Sequence, residues 1–186
     1  MINAINRFIF YKILGWRFKG TIPDDKKIIG IVAPHTSTFD FFIAVIARSV
    51  LKMNKRIKFL GKAELFKNQI FRFIFRSFGG YPVDRSKKNN LVDSIVEIYN
   101  TRDEFFITIA PEGTRKKVNE LKTGFYYIAL KAKIPIIMIG LDFKKKMIFI
   151  SKLFYVSGNI DEDMKFIINF FKPLDGRIPQ NGLKHI

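Results

Sequence analysis

The sequence predicts an α/β fold: a mixed, partly parallel central sheet flanked by helices, with an N-terminal amphipathic helix. Three observations support this. Short apolar, β-branched runs at 28–33, 57–60, 105–110 and 134–141 have the length of buried strands. Longer segments at 39–52, 63–78, 87–101 and 124–133 separate them and read as helices. Strands that alternate with helices give a sheet with a substantial parallel part.

The elements follow in order. Residues 2–18 read as a helix, because Ile2, Ile5, Ile9, Ile13 and Trp16 recur at three- and four-residue spacing. Its basic residues have no acidic companion and its aromatics widen the apolar surface, which suits a membrane interface as well as a protein core. After strand 28–33 a helix is expected from about Phe39, capped by Ser37 or Thr38. Residues 63–78 read as two helical pieces whose many phenylalanines suit an acyl groove, a lipid surface or plain core. Gly79-Gly80 stops them and Tyr81–Val83 begins a strand. The amphipathic positions Leu91, Ile95 and Ile98 define the helix at 87–101. A strand at 147–150 behind the hairpin tip Lys144-Lys145-Lys146 and a helix at 161–171 complete the set.

Composition narrows the function classes. The 186 residues, 48% of them hydrophobic, are read as one domain spanning 1–186 with a real core, and argue against disorder. The absence of cysteine excludes disulfides, zinc–thiolate sites and a thiol nucleophile. A formal net charge of +17 favours anionic partners: phospholipid surfaces, acidic carrier proteins or nucleic acid. Part of that excess follows a general abundance of Lys, Ile, Asn and Phe. The longest nearly uncharged stretch, 28–47, is broken by Pro34, His35 and Asp40, so no membrane-crossing helix is expected. The first twenty residues lack a cleavable small-residue site.

Chemistry gathers where apolar strands end. Of the two histidines, His185 is next to last, whereas His35 directly follows strand 28–33 and has Asp40 five positions on. A base at the mouth of a buried strand, with a carboxylate to orient it, can deprotonate a hydroxyl or thiol. Lys62 follows 57–60, and Glu112, Gly113, Thr114 and Arg115 follow 105–110. If strands 28–33 and 105–110 are parallel neighbours, His35, Asp40, Glu112 and Arg115 meet in one crevice. Asp84-Arg85 follows a shorter strand.

Four blocks therefore stand in one order: Pro34 to Asp40; Gly61-Lys62-Ala63-Glu64-Leu65-Phe66 through Gly79 to Arg85; Pro111-Glu112-Gly113-Thr114-Arg115; and Ile134-Pro135-Ile136-Ile137. Together they resemble the glycerolipid acyltransferase family, the lysophosphatidic acid acyltransferases and their relatives, over roughly residues 8–142. The resemblance implies that His35 is the general base for an acceptor hydroxyl and that Asp40 holds its imidazole. It implies that Arg115 binds an acceptor phosphate or carboxylate, with Glu112 orienting Arg115 or an acceptor hydroxyl. Gly113 gives close backbone approach, Thr114 completes that block, and Lys62 and Arg85 add to the anion site. Pro34, Ala110 and Lys116 depart from frequent family residues (Asn, an aromatic and Ser), which bears on the acceptor rather than on the His35–Asp40 pair.

The function so implied is O-acyl transfer from acyl-CoA or acyl carrier protein to a lysolipid hydroxyl, with 1-acyl-glycerol-3-phosphate as the leading acceptor. No cofactor and no metal are expected. The expected partners are a membrane lipid acceptor, the acyl donor and an anionic membrane surface, at the cytoplasmic face, with the protein peripheral or monotopic and residues 1–18 as the interfacial helix. One alternative keeps the chemistry and acylates an amino-acid-based lysolipid or another amphiphile. The other is a basic nucleic-acid-binding module; its basic residues match no recognised RNA or DNA motif, so nucleic acid is not expected as a partner.

Overall fold

The computed structural model describes residues 2–83 and 91–186. A seven-stranded sheet runs in the order β1-β7-β6-β2-β5-β3-β4. Its strands are β1 (Arg17–Lys19), β2 (Lys27–Ala33), β3 (Ile57–Lys62), β4 (Gly80–Val83), β5 (Phe105–Ile109), β6 (Ile136–Asp142) and β7 (Met147–Ile150). The helices are α1 (Ile2–Phe8), α2 (Phe39–Val50), α3 (Gln69–Ser77), α4 (Leu91–Thr101), α5 (Gly124–Ala132) and α6 (Ile160–Phe171). All neighbouring strands pair in parallel except β6 and β7, which form an antiparallel hairpin turned at Phe143 to Lys146.

Strand alternation separates two cores. Ile29, Ile31 and Ala33 of β2 and Ile107 of β5 face α4, α5 and α6, joining Ile95, Tyr99, Phe125 and Ile167. Ile28 and Phe106 point the other way, against Ile43, Ala47 and Val50 of α2. The chain leaves β2 through α2 towards β3 and leaves β5 through α5 towards β6, in opposite directions along the sheet. The boundary between β2 and β5 is therefore a switch point, where an α/β sheet opens a crevice at its carboxyl ends.

Two differences from the sequence reading concern the amino-terminal segment and the segment after α6. The helix does not extend to residue 18: α1 passes into a π-helical turn at Ile9–Ile13, and Gly15 then takes φ +73°. Trp16 turns into the core at 3% exposure, and Arg17–Lys19 becomes an edge strand against β7. Phe10 is fully buried while Ile5, Phe8 and Ile13 are exposed, so the segment is part core and part surface. The second is the segment after α6, which the sequence reading gave no role and which crosses back over the carboxyl ends of the strands. Its contacts are given below.

Candidate active site

His35 lies two residues beyond β2, and Asp40 lies in the first turn of α2. The imidazole Nδ1 is 3.1 Å from Asp40 Oδ2. The same oxygen accepts the backbone N–H groups of Thr36 at 2.7 Å and Ser37 at 2.8 Å. Thr38 occupies the predicted cap position, but its side chain makes no bond to the helix. Ser37 Oγ accepts the N–H of Phe39, the first helical residue, at 3.2 Å, and the Asp40 carboxylate folds back to hold the loop. Asp40 is 2% exposed and His35 28%, which leaves the far side of the ring open to a substrate. Because Asp40 faces Nδ1, that nitrogen carries the proton and Nε2 has the free lone pair.

The predicted pairing of β2 with β5 is present, with Ile31 opposite Ile109, and brings the third block, Pro111 to Arg115, to His35. Glu112, 2% exposed, accepts the backbone N–H of His35 on Oε1 at 2.7 Å. Of its two predicted roles, the orienting of Arg115 is not seen: no ion pair joins Glu112 to Arg115 among the described residues, and Glu112 fixes the main chain of His35. Arg115 instead donates from Nη1 to Thr38 Oγ1. Gly113 sits at φ +66°, the left-handed region that favours glycine, and a Cβ there would push the flexible end of Lys122 aside. Thr114 Oγ1 accepts the N–H of Lys116 at 3.3 Å and so shapes the loop. Lys62 ends β3 at the same edge of the sheet, whereas Arg85 lies outside the described residues. Among the described residues no group of three or more His, Asp or Glu gathers as a metal site.

Burial pushes the Glu112 carboxyl above the ordinary carboxylate range; the His35 N–H bond opposes this but is outweighed. An acid raised in this way holds its proton more tightly in the folded chain, so its ionisation costs stability as the pH climbs from the unfolded value through the folded one. Glu112→Gln keeps an acceptor for His35 and removes that cost. The melting temperature of the variant relative to the parent is therefore expected to rise between about pH 4 and pH 7. Thermal melts across that range check this, and a difference that stays flat would show that Glu112 ionisation carries no such cost.

Sequence reasoning missed the tail. Ile178 N–H donates to Thr36 Oγ1 at 3.1 Å, and Asn181 Nδ2 donates to the Arg115 carbonyl at 3.0 Å. The Arg177 guanidinium stacks 4.3 Å above the Phe39 ring. His185, the second histidine, has its Nε2 2.8 Å from the Val118 carbonyl oxygen. The only local signal was Gly176, where a Cβ would meet Thr36 Oγ1 at 2.7 Å.

An apolar cavity of about 110 Å³ lies between α2 and the sheet, lined by Val32, Ala44, Val45, Ile139 and Leu141 among others. Phe41, Phe59 and Phe78 also line it. Rings in contact connect it to the histidine loop, from Phe78 to Phe41 at 6.1 Å, to Phe42 at 6.1 Å and to Phe39 at 6.0 Å. Of the phenylalanines predicted to line a groove, only Phe78 of segment 63–78 does so. Helix α3 buries none of its residues, and Ile70, Phe71 and Phe73 are 70%, 55% and 77% exposed.

A base–carboxylate pair at a sheet switch point, beside a loop carrying a guanidinium and next to an apolar cavity, has the arrangement of a group-transfer site. Residues 17–142 match the acyltransferase family, and the chain belongs to it. The 1-acyl-sn-glycerol-3-phosphate acyltransferase of Streptococcus pneumoniae (strain ATCC BAA-255 / R6) is 29% identical over 119 residues, covering 63% of this chain. This chain spans only 43% of that relative's length. The crystal structure of the 1-acyl-sn-glycerophosphate (LPA) acyltransferase PlsC from Thermotoga maritima superposes with a TM-score of 0.61 at 18% identity, covering 98% of this chain and 77% of that one. This second likeness confirms the α/β fold.

Proposed function

We propose that the chain acts as one acyltransferase domain that moves a fatty acyl group from a thioester, acyl-CoA or acyl carrier protein, to the free hydroxyl of 1-acyl-glycerol-3-phosphate. The observation that carries this reading is the 3.1 Å contact between His35 Nδ1 and Asp40 Oδ2. It leaves Nε2 free to take the acceptor's hydroxyl proton while the oxygen attacks the thioester carbonyl. The tetrahedral intermediate collapses with loss of the thiolate, which takes the proton back from the imidazolium. Asp40 stabilises that imidazolium, and Arg115 holds the acceptor's anionic group. The acyl chain occupies the cavity beneath Phe41 and Phe78. The step needs no cofactor and no metal. A thioester-release assay over a panel of lysolipids tests the reading. Transfer to 1-acyl-glycerol-3-phosphate supports it; transfer only to an amino-acid-based or other lysolipid keeps the mechanism and moves the substrate. Silence on the whole panel with both donors overturns it.

We also propose that the protein works as a peripheral enzyme on the cytoplasmic, anionic face of a membrane. No helix among the described residues is long and apolar enough to cross one. The exposed face of α3, with Arg72 and Arg76 among its phenylalanines, offers apolar contact and positive charge together. Ile5, Phe8 and Ile13 of the amino-terminal segment add to this surface. Deleting residues 1–18 would not isolate this role, because Phe10 and Trp16 are core residues. The double substitution Ile70→Ser with Phe73→Ser is expected to release most of the protein from anionic liposomes in sedimentation while leaving its melting temperature unchanged. Full sedimentation of that variant would exclude α3 as the contact.

A further inference from the structure

We infer that the carboxyl-terminal segment 176–181 builds the headgroup end of the acceptor site, with Arg177 as a second guanidinium beside Arg115 for a phosphomonoester. The kinetic part of this inference rests on the acyl-transfer reading; the binding part does not.

The segment is fastened to the loop after His35. Gly176 packs on Thr36, the Ile178 N–H holds Thr36 Oγ1 at 3.1 Å, and Asn181 holds the Arg115 carbonyl at 3.0 Å. These bonds place Arg177 over Phe39 while Arg115 reaches Thr38, so two guanidinium groups rest on adjacent residues three and four positions after the base. Neither has a carboxylate partner among the described residues, and the acid just before the segment, Asp175, is held by Lys184 at 2.6 Å. Two uncompensated cations set this close repel each other, and an anion between them removes that repulsion. Stacking on the Phe39 ring uses the flat face of Arg177 and leaves its N–H edge free to donate. A phosphomonoester carries close to two charges and three acceptor oxygens, enough for both forks, whereas a single carboxylate is satisfied by one.

The test uses the full chain. Calorimetric titration with sn-glycerol 3-phosphate is expected to show binding that Arg177→Gln weakens about tenfold or more, with Arg177→Lys between the two. In acyl transfer, Arg177→Gln is expected to raise KM for 1-acyl-glycerol-3-phosphate by a similar factor with kcat within about twofold, and to leave KM for an uncharged monoacylglycerol unchanged. Arg177 is exposed, so its replacement leaves the melting temperature in place. Unchanged affinity and unchanged KM in Arg177→Gln would overturn the inference, as would a parent that binds no glycerol 3-phosphate and shows no KM effect. A parent that binds glycerol 3-phosphate through Arg177 but acylates no lysolipid upholds the inference and overturns the acyl-transfer reading. Turnover of 1-acyl-glycerol-3-phosphate that ignores Arg177 does the reverse.

Discussion

His35→Ala is expected to lower kcat for acyl transfer by about 10²- to 10⁴-fold, the usual contribution of a positioned general base, with KM for the acceptor little changed. The residual rate reflects orientation and anion binding, which the substitution leaves in place. The fold should survive. The imidazole is 28% exposed, its one polar side-chain contact is Asp40, and the backbone N–H that Glu112 accepts is still present in alanine. Thioester release by the purified variant, alongside its thermal melt, separates the two effects. Retained turnover would remove His35 from the reaction.

Asp40 separates chemistry from architecture, because one of its oxygens serves both. Oδ2 receives the Thr36 and Ser37 N–H groups as well as the imidazole. Asp40→Ala therefore removes a loop-holding cap as well as the orienting group, leaving buried N–H donors unpaired at a cost of about 2 kcal/mol. For a domain of this size that cost corresponds to a fall in melting temperature of about 4–8 °C. Asp40→Asn keeps an acceptor oxygen for the loop but no longer stabilises the imidazolium, so its melting temperature should fall far less while kcat falls by about 10²-fold or more. The paired melts and turnover numbers decide between the roles. An asparagine variant that turns over like the parent would reduce Asp40 to a structural part.

The legible portion of the molecule was its repeating pattern and its short motifs. Strand β2 could be read because Ile28 to Ala33 is continuously apolar, and the β2–β5 pairing that unites His35 with Glu112 follows from strand ends that both carry polar groups. Tertiary contacts decided the rest. Ile13 and Trp16 have helical spacing on paper, yet Gly15 turns the chain so that Trp16 packs edge-on to Phe143 at 4.9 Å. Glu112 reads as a partner for the nearby Arg115, yet it bonds a backbone amide 77 positions away, which no local pattern encodes. The tail was opaque for the same reason: Gly176, Arg177 and Asn181 have no periodicity, and their meaning lies wholly in what they touch.

The hydrogen bond from Ile178 to Thr36 spans 142 positions. It also has a bearing on timing. A protein leaves the ribosome amino end first, so the loop with His35 emerges well before the residues that fasten it. Until residue 181 is clear of the exit tunnel, the base can be present but Arg115 and Arg177 cannot both be set in place. On the proposed reading, a growing chain has the imidazole before it has the segment that completes the anion site, which can form only once residues 176–181 have emerged.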